Sequence, residues 1–144
     1  AKDSGDQLTD FIDNILKSVI ISAKVKSLFN ELNLDENKVE YLPFKLKNKR
    51  GRIEKDQVFY IANALIKINC LDMNRSDYYL NSNKTKVQGV RVVELDKSKI
   101  PDDAIFFRLG EEPSRIIMRS DFVDNLKAAG FTGLSLCPTG QRLP

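Results

Sequence analysis

The stretch from Ala104 to Leu136 constrains this chain most, because local chemistry there leaves few alternatives. Ala104-Ile-Phe-Phe-Arg-Leu109 and Ile116-Ile-Met-Arg119 are rich in the branched and aromatic residues that favour strands. Ser120 can cap a following helix, since its hydroxyl accepts from an otherwise orphan N–H of the first turn. Asp121 and Asp124 then place negative charge at the positive end of the helix dipole. Phe122, Val123, Leu126 and Ala129 give that helix one apolar face, and Gly130 stands where a left-handed residue ends many helices. Phe131 is placed to fold back on it, and Gly133-Leu-Ser-Leu136 resumes a period of two, which predicts a returning strand.

A chain of 144 residues is about one domain long, and a domain near this size buries roughly 70% of its unfolded surface. A single domain over 1–144 is therefore expected. Its 42% hydrophobic and 30% charged residues favour neither disorder nor a membrane span. No secretory segment opens the chain, so a cytoplasmic protein is expected, although a start at Ala1 rather than Met is consistent with a trimmed N-terminus. Ala1 to Gln7 are polar and expected to fray.

Leu8, Phe11, Ile12, Ile15, Leu16 and Val19 recur at three and four, which predicts a first amphipathic helix over Leu8 to Ile21. Ser22 reads as the cap of a second, with Val25, Leu28, Phe29 and Leu32 as its buried stripe and an end near Asn33. Val39 to Leu46 alternates as a strand, and Pro43, unable to donate to a ladder, puts it at an edge or beside a bulge. Val58 to Ile68 reads as a long or broken central strand, with helix as the competing reading. Asp, Asn and Ser in Leu71 to Asp77 favour a turn. Tyr78-Tyr-Leu80 and Val87 to Leu95 follow as strands, the latter with Val90 and Val92 on one face and Val93 and Leu95 on the other. Asp96 to Asp103, with Pro101, breaks the pattern. The fold class expected is α+β, with N-terminal helices packed on a mostly antiparallel sheet and a C-terminal strand-helix-strand unit.

The chain has no histidine, which removes the commonest general base and transition-metal ligand near neutral pH. Its two cysteines, Cys70 and Cys137, form no CxxC motif and read as reduced thiols. The neighbouring carboxylates Asp102 and Asp103, and Glu111 and Glu112, read as loop decoration, because sequence neighbours rarely converge on one substrate atom. No phosphate-cradling glycine loop or nucleophile elbow occurs, and no cofactor or metal is expected. An enzyme would require carboxylates from distant segments to meet, so a binding protein is the expectation. Lys45, Lys47, Lys49, Arg50 and Arg52 around Gly51 read as a solvated hairpin tip. Their alternative role is nucleic-acid binding, joined by Lys84, Lys86 and Arg91, though a net charge of +3 gives that little support.

Several stretches occur in an order shared with one family: Tyr41-Leu-Pro43, Asn63-Ala-Leu-Ile-Lys-Ile-Asn-Cys-Leu-Asp72 with Ser76, and Ile105-Phe-Phe-Arg-Leu109. Ile116-Ile-Met-Arg-Ser120 and Leu126-Lys-Ala-Ala-Gly-Phe-Thr-Gly-Leu134 complete the set. Together they resemble the immunity proteins of bacterial polymorphic toxin systems, in a large family once catalogued only as a domain of unknown function. The resemblance runs from about Ile20 to Leu136 and implies a bacterial cytoplasmic protein that binds the C-terminal toxin domain of a cognate effector encoded nearby. It implies neutralisation without catalysis, and additional residues ahead of Ala1 unless this member is compact.

Within the matching stretches, Pro43, Gly130 and Gly133 are expected to shape backbone, and Ser120 to cap. Asn63, Asp72 and Ser76 are expected to pin the central strand to the next turn through side-chain bonds to backbone. The partner surface is expected on exposed charged and aromatic positions outside the motifs: Arg75, Asp77, Tyr78, Tyr79, Arg108, Glu111, Glu112 and Arg115.

Overall fold

A computed structural model describes residues 9–12, 18–47, 50 and 53–143. The expected frayed segment, Ala1 to Gln7, lies outside them, as do Lys49 and Arg52 of the basic run. The chain forms two compact units: Ala1–Asn63 with Val123–Ser135, and Ala64–Phe122 with Leu136–Pro144.

The first unit is built on a four-stranded sheet of order β1-β2-β4-β3, from β1 (Phe11–Ile12), β2 (Ile20–Ser22), β3 (Val39–Lys47) and β4 (Ile53–Ala64). Phe11 stands opposite Ile21 and Ile12 opposite Ile20, while Ile21 faces Tyr60 on its other side; both pairings are antiparallel. The helix expected over Leu8 to Ile21 is thus overturned at both ends; residues 13–17 lie outside the described part. The three-and-four spacing was genuine, but Val19-Ile-Ile21 is a β-branched run that fits the pleat between β1 and β4, and tertiary pairing overrides a weak helical period.

Helix α1 (Ala23–Glu31) begins where expected, with the Ser22 hydroxyl accepting from Val25 N–H at 3.4 Å. Val25 and Phe29 are fully buried, each worth about 1.5–3 kcal/mol relative to exposure. The helix ends in a Schellman arrangement: Asn33 takes φ 66°, its N–H reaches Asn30 O at 3.1 Å, and Leu34 N–H reaches Phe29 O at 2.9 Å. Strand β3 is the last in its sheet, so Pro43 lies on the expected edge.

The second unit holds two small sheets. In one, β5 (Lys67–Ile68) pairs parallel with β8 (Phe106–Leu109), which pairs antiparallel with β9 (Ile116–Met118). In the other, β6 (Asp77–Leu80) pairs antiparallel with β7 (Val87–Val92). The expected Val58 to Ile68 strand is broken, as β4 stops at Ala64 and β5 resumes at Lys67. Cys70, Leu71, Val90, Val93, Phe107 and Leu109 form the core, with Tyr78, Val87 and Leu95 packed against it. Val90 and Val93 therefore share one core instead of opposite faces. Strand β7 carries irregular register and ends at Val92, so the alternation does not continue to Leu95. The C-terminal segment lies along β7, with Leu143 N–H bonded to Arg91 O and Gly140 N–H to Val93 O, both at 2.8 Å.

Helix α2 (Ser120–Ala128) contains the boundary between the units, which falls after Phe122. Its C-terminus repeats the α1 arrangement with Gly130 at φ 77°, Gly130 N–H on Lys127 O at 3.0 Å and Phe131 N–H on Leu126 O at 3.4 Å. The returning strand expected over Gly133 to Leu136 is absent. Gly133 adopts φ 84°, which interrupts an extended chain, and a Cβ there would collide with the Phe11 carbonyl and the Thr9 side chain. Thr132 instead clips onto β1, accepting from Phe11 N–H at 2.9 Å.

Among the described residues the molecule is mostly sheet with two α-helices, an α+β chain. The expectation of two leading helices on one sheet is corrected: the first described helix starts at Ala23, and the strands divide into three sheets.

Candidate partner-binding surface

The turn before β6 is fixed by its own polar side chains. The Asp72 carboxylate accepts from Asn74 N–H at 3.0 Å and Arg75 N–H at 3.2 Å. Ser76 Oγ donates to Glu94 O and accepts from Glu94 N–H, both at 3.0 Å, closing the base of the β6–β7 ribbon. Arg75 leaves this turn exposed and pairs with Glu94 at 3.0 Å.

The outer face of the ribbon continues from there. Asp77 pairs with Arg91 at 2.9 Å, and the Arg91 guanidinium lies 5.0 Å from the centre of the Tyr79 ring. Tyr79 stands opposite Gly89 and lies across it, so that a Cβ on Gly89 would come within 2.5 Å of the Tyr79 hydroxyl. Aromatic cover of a strand glycine and a stacked arginine thus make one exposed patch. Such surface ion pairs contribute only about 0.2–1 kcal/mol each to folding, which leaves the groups available for a partner. Tyr78 points the other way, against the core. Met73, Tyr79 and Leu80 are among the exposed large hydrophobic residues of this unit.

The second cluster of expected contact residues is committed to the chain itself. Arg108 donates through Nε to Ala64 O at 3.0 Å and through Nη1 to Pro113 O at 2.8 Å. The Glu111 carboxylate accepts from Leu71 N–H at 3.1 Å, and Glu112 pairs with Arg115 at 3.1 Å across the turn that joins β8 to β9. Burial, with Glu111 and then Asp96 adding negative charge, pushes the Cys70 thiol up to about 11. Cys70 and Cys137 are both free.

Of the eight expected positions, Arg75, Asp77 and Tyr79 therefore share one exposed patch. Arg108, Glu111, Glu112 and Arg115 tie loops together, and Tyr78 supports the core. Arg91 and Glu94, the partners that complete the patch, lie outside the expected set: Arg91 comes from β7, whose pairing with β6 is irregular, and Glu94 from the segment just after that strand. The residues expected to shape the fold lie elsewhere. Pro43 is in β3, Asn63 Nδ2 donates to Glu40 at 3.2 Å, and Ser120 is the first residue of α2. At that helix start Asp121 accepts from Phe122 N–H at 2.8 Å and also binds Arg119. Asp10 gave no sequence signal, yet its carboxylate accepts from Ser22 Oγ at 3.0 Å and Thr132 N–H at 3.1 Å.

An open depression of about 460 Å³ adjoins the Arg75 end of the patch, lined by Asp72, Glu94, Asp96, Lys97, Ser98 and Thr139 among others. The Ser98 hydroxyl, its strongest influence, holds the Asp96 carboxyl below the usual carboxylate range. No group of three or more His, Cys, Asp or Glu side chains arranged to hold a metal occurs among the described residues. No helix among them is long and apolar enough to cross a membrane.

The model of the Immunity protein family (Imm11) matches residues 1–141. The chain belongs to that family. Membership agrees with the resemblance carried by the ordered motifs from Tyr41 to Leu134. No curated protein matches the chain.

Proposed function

We propose that this Imm11 member neutralises a cognate bacterial toxin domain by binding and occluding it in the cytoplasm of its producer, with no chemical step of its own. The observation that carries this reading is the family match across residues 1–141. The exposed Arg75, Asp77, Tyr79 and Arg91 on the second unit supply the aromatic and arginine chemistry that dominates binding energy at protein interfaces. Arg108, Glu111, Glu112 and Arg115 hold the scaffold behind that surface.

The test is co-expression with the C-terminal domain of the large protein encoded beside this chain, scoring growth and then co-purification. Growth rescue with a stable complex is the expected result. Rescue without a complex would point to an enzyme acting on the toxin or its product, and no rescue would remove the proposal. The alternative, nucleic-acid binding through Lys45 to Arg52, predicts affinity for generic RNA or DNA that falls steeply with salt.

A further inference from the structure

The tip of the β6–β7 ribbon has a rigid backbone and unspent charge. Asn81 builds the turn: its N–H bonds to Lys86 O and its C=O accepts from Lys84 N–H, both at 2.9 Å. Its side-chain oxygen accepts from Thr85 N–H at 2.8 Å and Lys86 N–H at 3.3 Å. Ser82 to Lys86 are all exposed. Lys84 adopts φ 53°, a left-handed conformation that hairpin loops commonly give to glycine or asparagine. The other left-handed positions among the described residues are Asn33, Gly130, Gly133 and Gly140, all residue types suited to that conformation. Lysine at this one position is therefore not explained by the turn.

Its charge is also without a partner among the described residues. Neither Lys84 nor Lys86 has a side-chain hydrogen bond or ion pair among the described residues, and no acidic residue occurs from Tyr78 to Val93. Arg75 and Arg91, nearer the base of the ribbon, are each paired with a carboxylate. Positive charge is thus left free only at the narrow end. Two free cations are too few for a nucleic-acid footprint, which needs a broad basic stripe, but they suit a cleft lined by carboxylates.

We infer that the β6–β7 tip is the element that enters an acidic cleft of the toxin domain, with Lys84 and Lys86 as its charged contacts and the Tyr79–Arg91 face beside it. This rests on the toxin-binding reading above. Held in shape before encounter, the tip loses little freedom on binding, and its charge accelerates association.

The experiment measures association of the full chain with the purified toxin domain encoded beside it, at low and high salt. It compares wild type, Lys84→Glu with Lys86→Glu, Lys84→Asn, and a charge-matched control carrying Lys24→Glu and Lys38→Glu in the first unit. The expected result is that the double tip variant associates at least about tenfold more slowly at low salt while the control changes less than about threefold. Lys84→Asn should bind more weakly although its melting temperature rises, a pairing of signs that a purely structural lysine would not give. Tip variants that bind as the control does would overturn the inference and leave toxin neutralisation standing. Failure of the wild type to bind or protect would remove that reading and the inference together. An RNA of about 20 nucleotides serves as the second probe; tip variants that lose RNA binding but keep full toxin binding would overturn the inference in favour of a nucleic-acid contact.

Discussion

The end of helix α1 and the tip of the β6–β7 ribbon solve the same backbone problem with different residues. Both reverse the chain through a left-handed position, Asn33 at φ 66° and Lys84 at φ 53°. At the helix end the residue suits the conformation, and the following Leu34 is buried and bonded to Phe29 O. At the ribbon tip the residue does not suit it, and its neighbours from Ser82 to Lys86 are exposed. A side chain that strains an exposed turn without packing against anything is better explained by what it meets than by what it holds together. The helix end is shaped by folding, and the ribbon tip is where the inferred recognition falls.

The strongest challenge to this contrast comes from the glycines, where conformation and space can be separated. Gly133→Ala should destabilise the chain by about 3 kcal/mol, since the methyl group needs both a left-handed backbone and the space of the Phe11 carbonyl and Thr9. Gly130→Ala meets nothing within 4 Å and should cost only the conformational part, about 1 kcal/mol. Denaturant titration of the two variants separates the cases, and equal losses would remove the steric account of Gly133. Asn33→Ala should cost about 0.5–1 kcal/mol by the same measurement. Lys84→Asn should have the opposite sign, a gain of a few tenths of a kcal/mol. If Asn33→Ala and Lys84→Asn shifted stability in the same direction, the two turns would not differ in what shapes them.

The same distinction between local and distant causes separates what the sequence made legible from what it hid. The strands around Phe106 and Ile117, helix α2 with Gly130 and the edge strand with Pro43 follow from neighbouring residues, and they could be read, whereas the place at which the Val58 to Ile68 strand breaks could not. Strands β1 and β2 could not, because what makes them strands is pairing with each other and with Tyr60 and Ile61. Gly133 to Leu136 alternates like a strand, but its course is set by Asp10 and Phe11, more than a hundred positions earlier. On the candidate surface, Arg75, Asp77 and Tyr79 were legible as exposed and reactive in type. Their partners depended on strand register for Arg91 and on the path of the chain after β7 for Glu94, and the backbone carbonyls that engage Arg108 depended on loop paths. A charge in the sequence shows what a side chain can bind, not whether the fold has already occupied it.

That occupancy supports the smallest of the expected effects. Arg119 is an exposed cation like Lys84, but its guanidinium grips Asp121 at 2.7 and 2.9 Å and also reaches the Asp102 carbonyl. The Arg119 hydrogen bond, the largest influence on Asp121, holds that carboxyl below the usual carboxylate range. A carboxyl depressed in the folded state adds stability above its unfolded pKa and loses it as pH falls through the folded one. Melting temperature followed from about pH 6 to pH 2 should therefore fall slightly less steeply in Asp121→Asn than in wild type. Lys84→Asn, which removes a cation with no carboxylate beside it, should leave the acid slope as it was. A change of slope in Lys84→Asn would mean that Lys84 already has an acidic partner within the chain, and the free charge on which the ribbon tip's role depends would be gone.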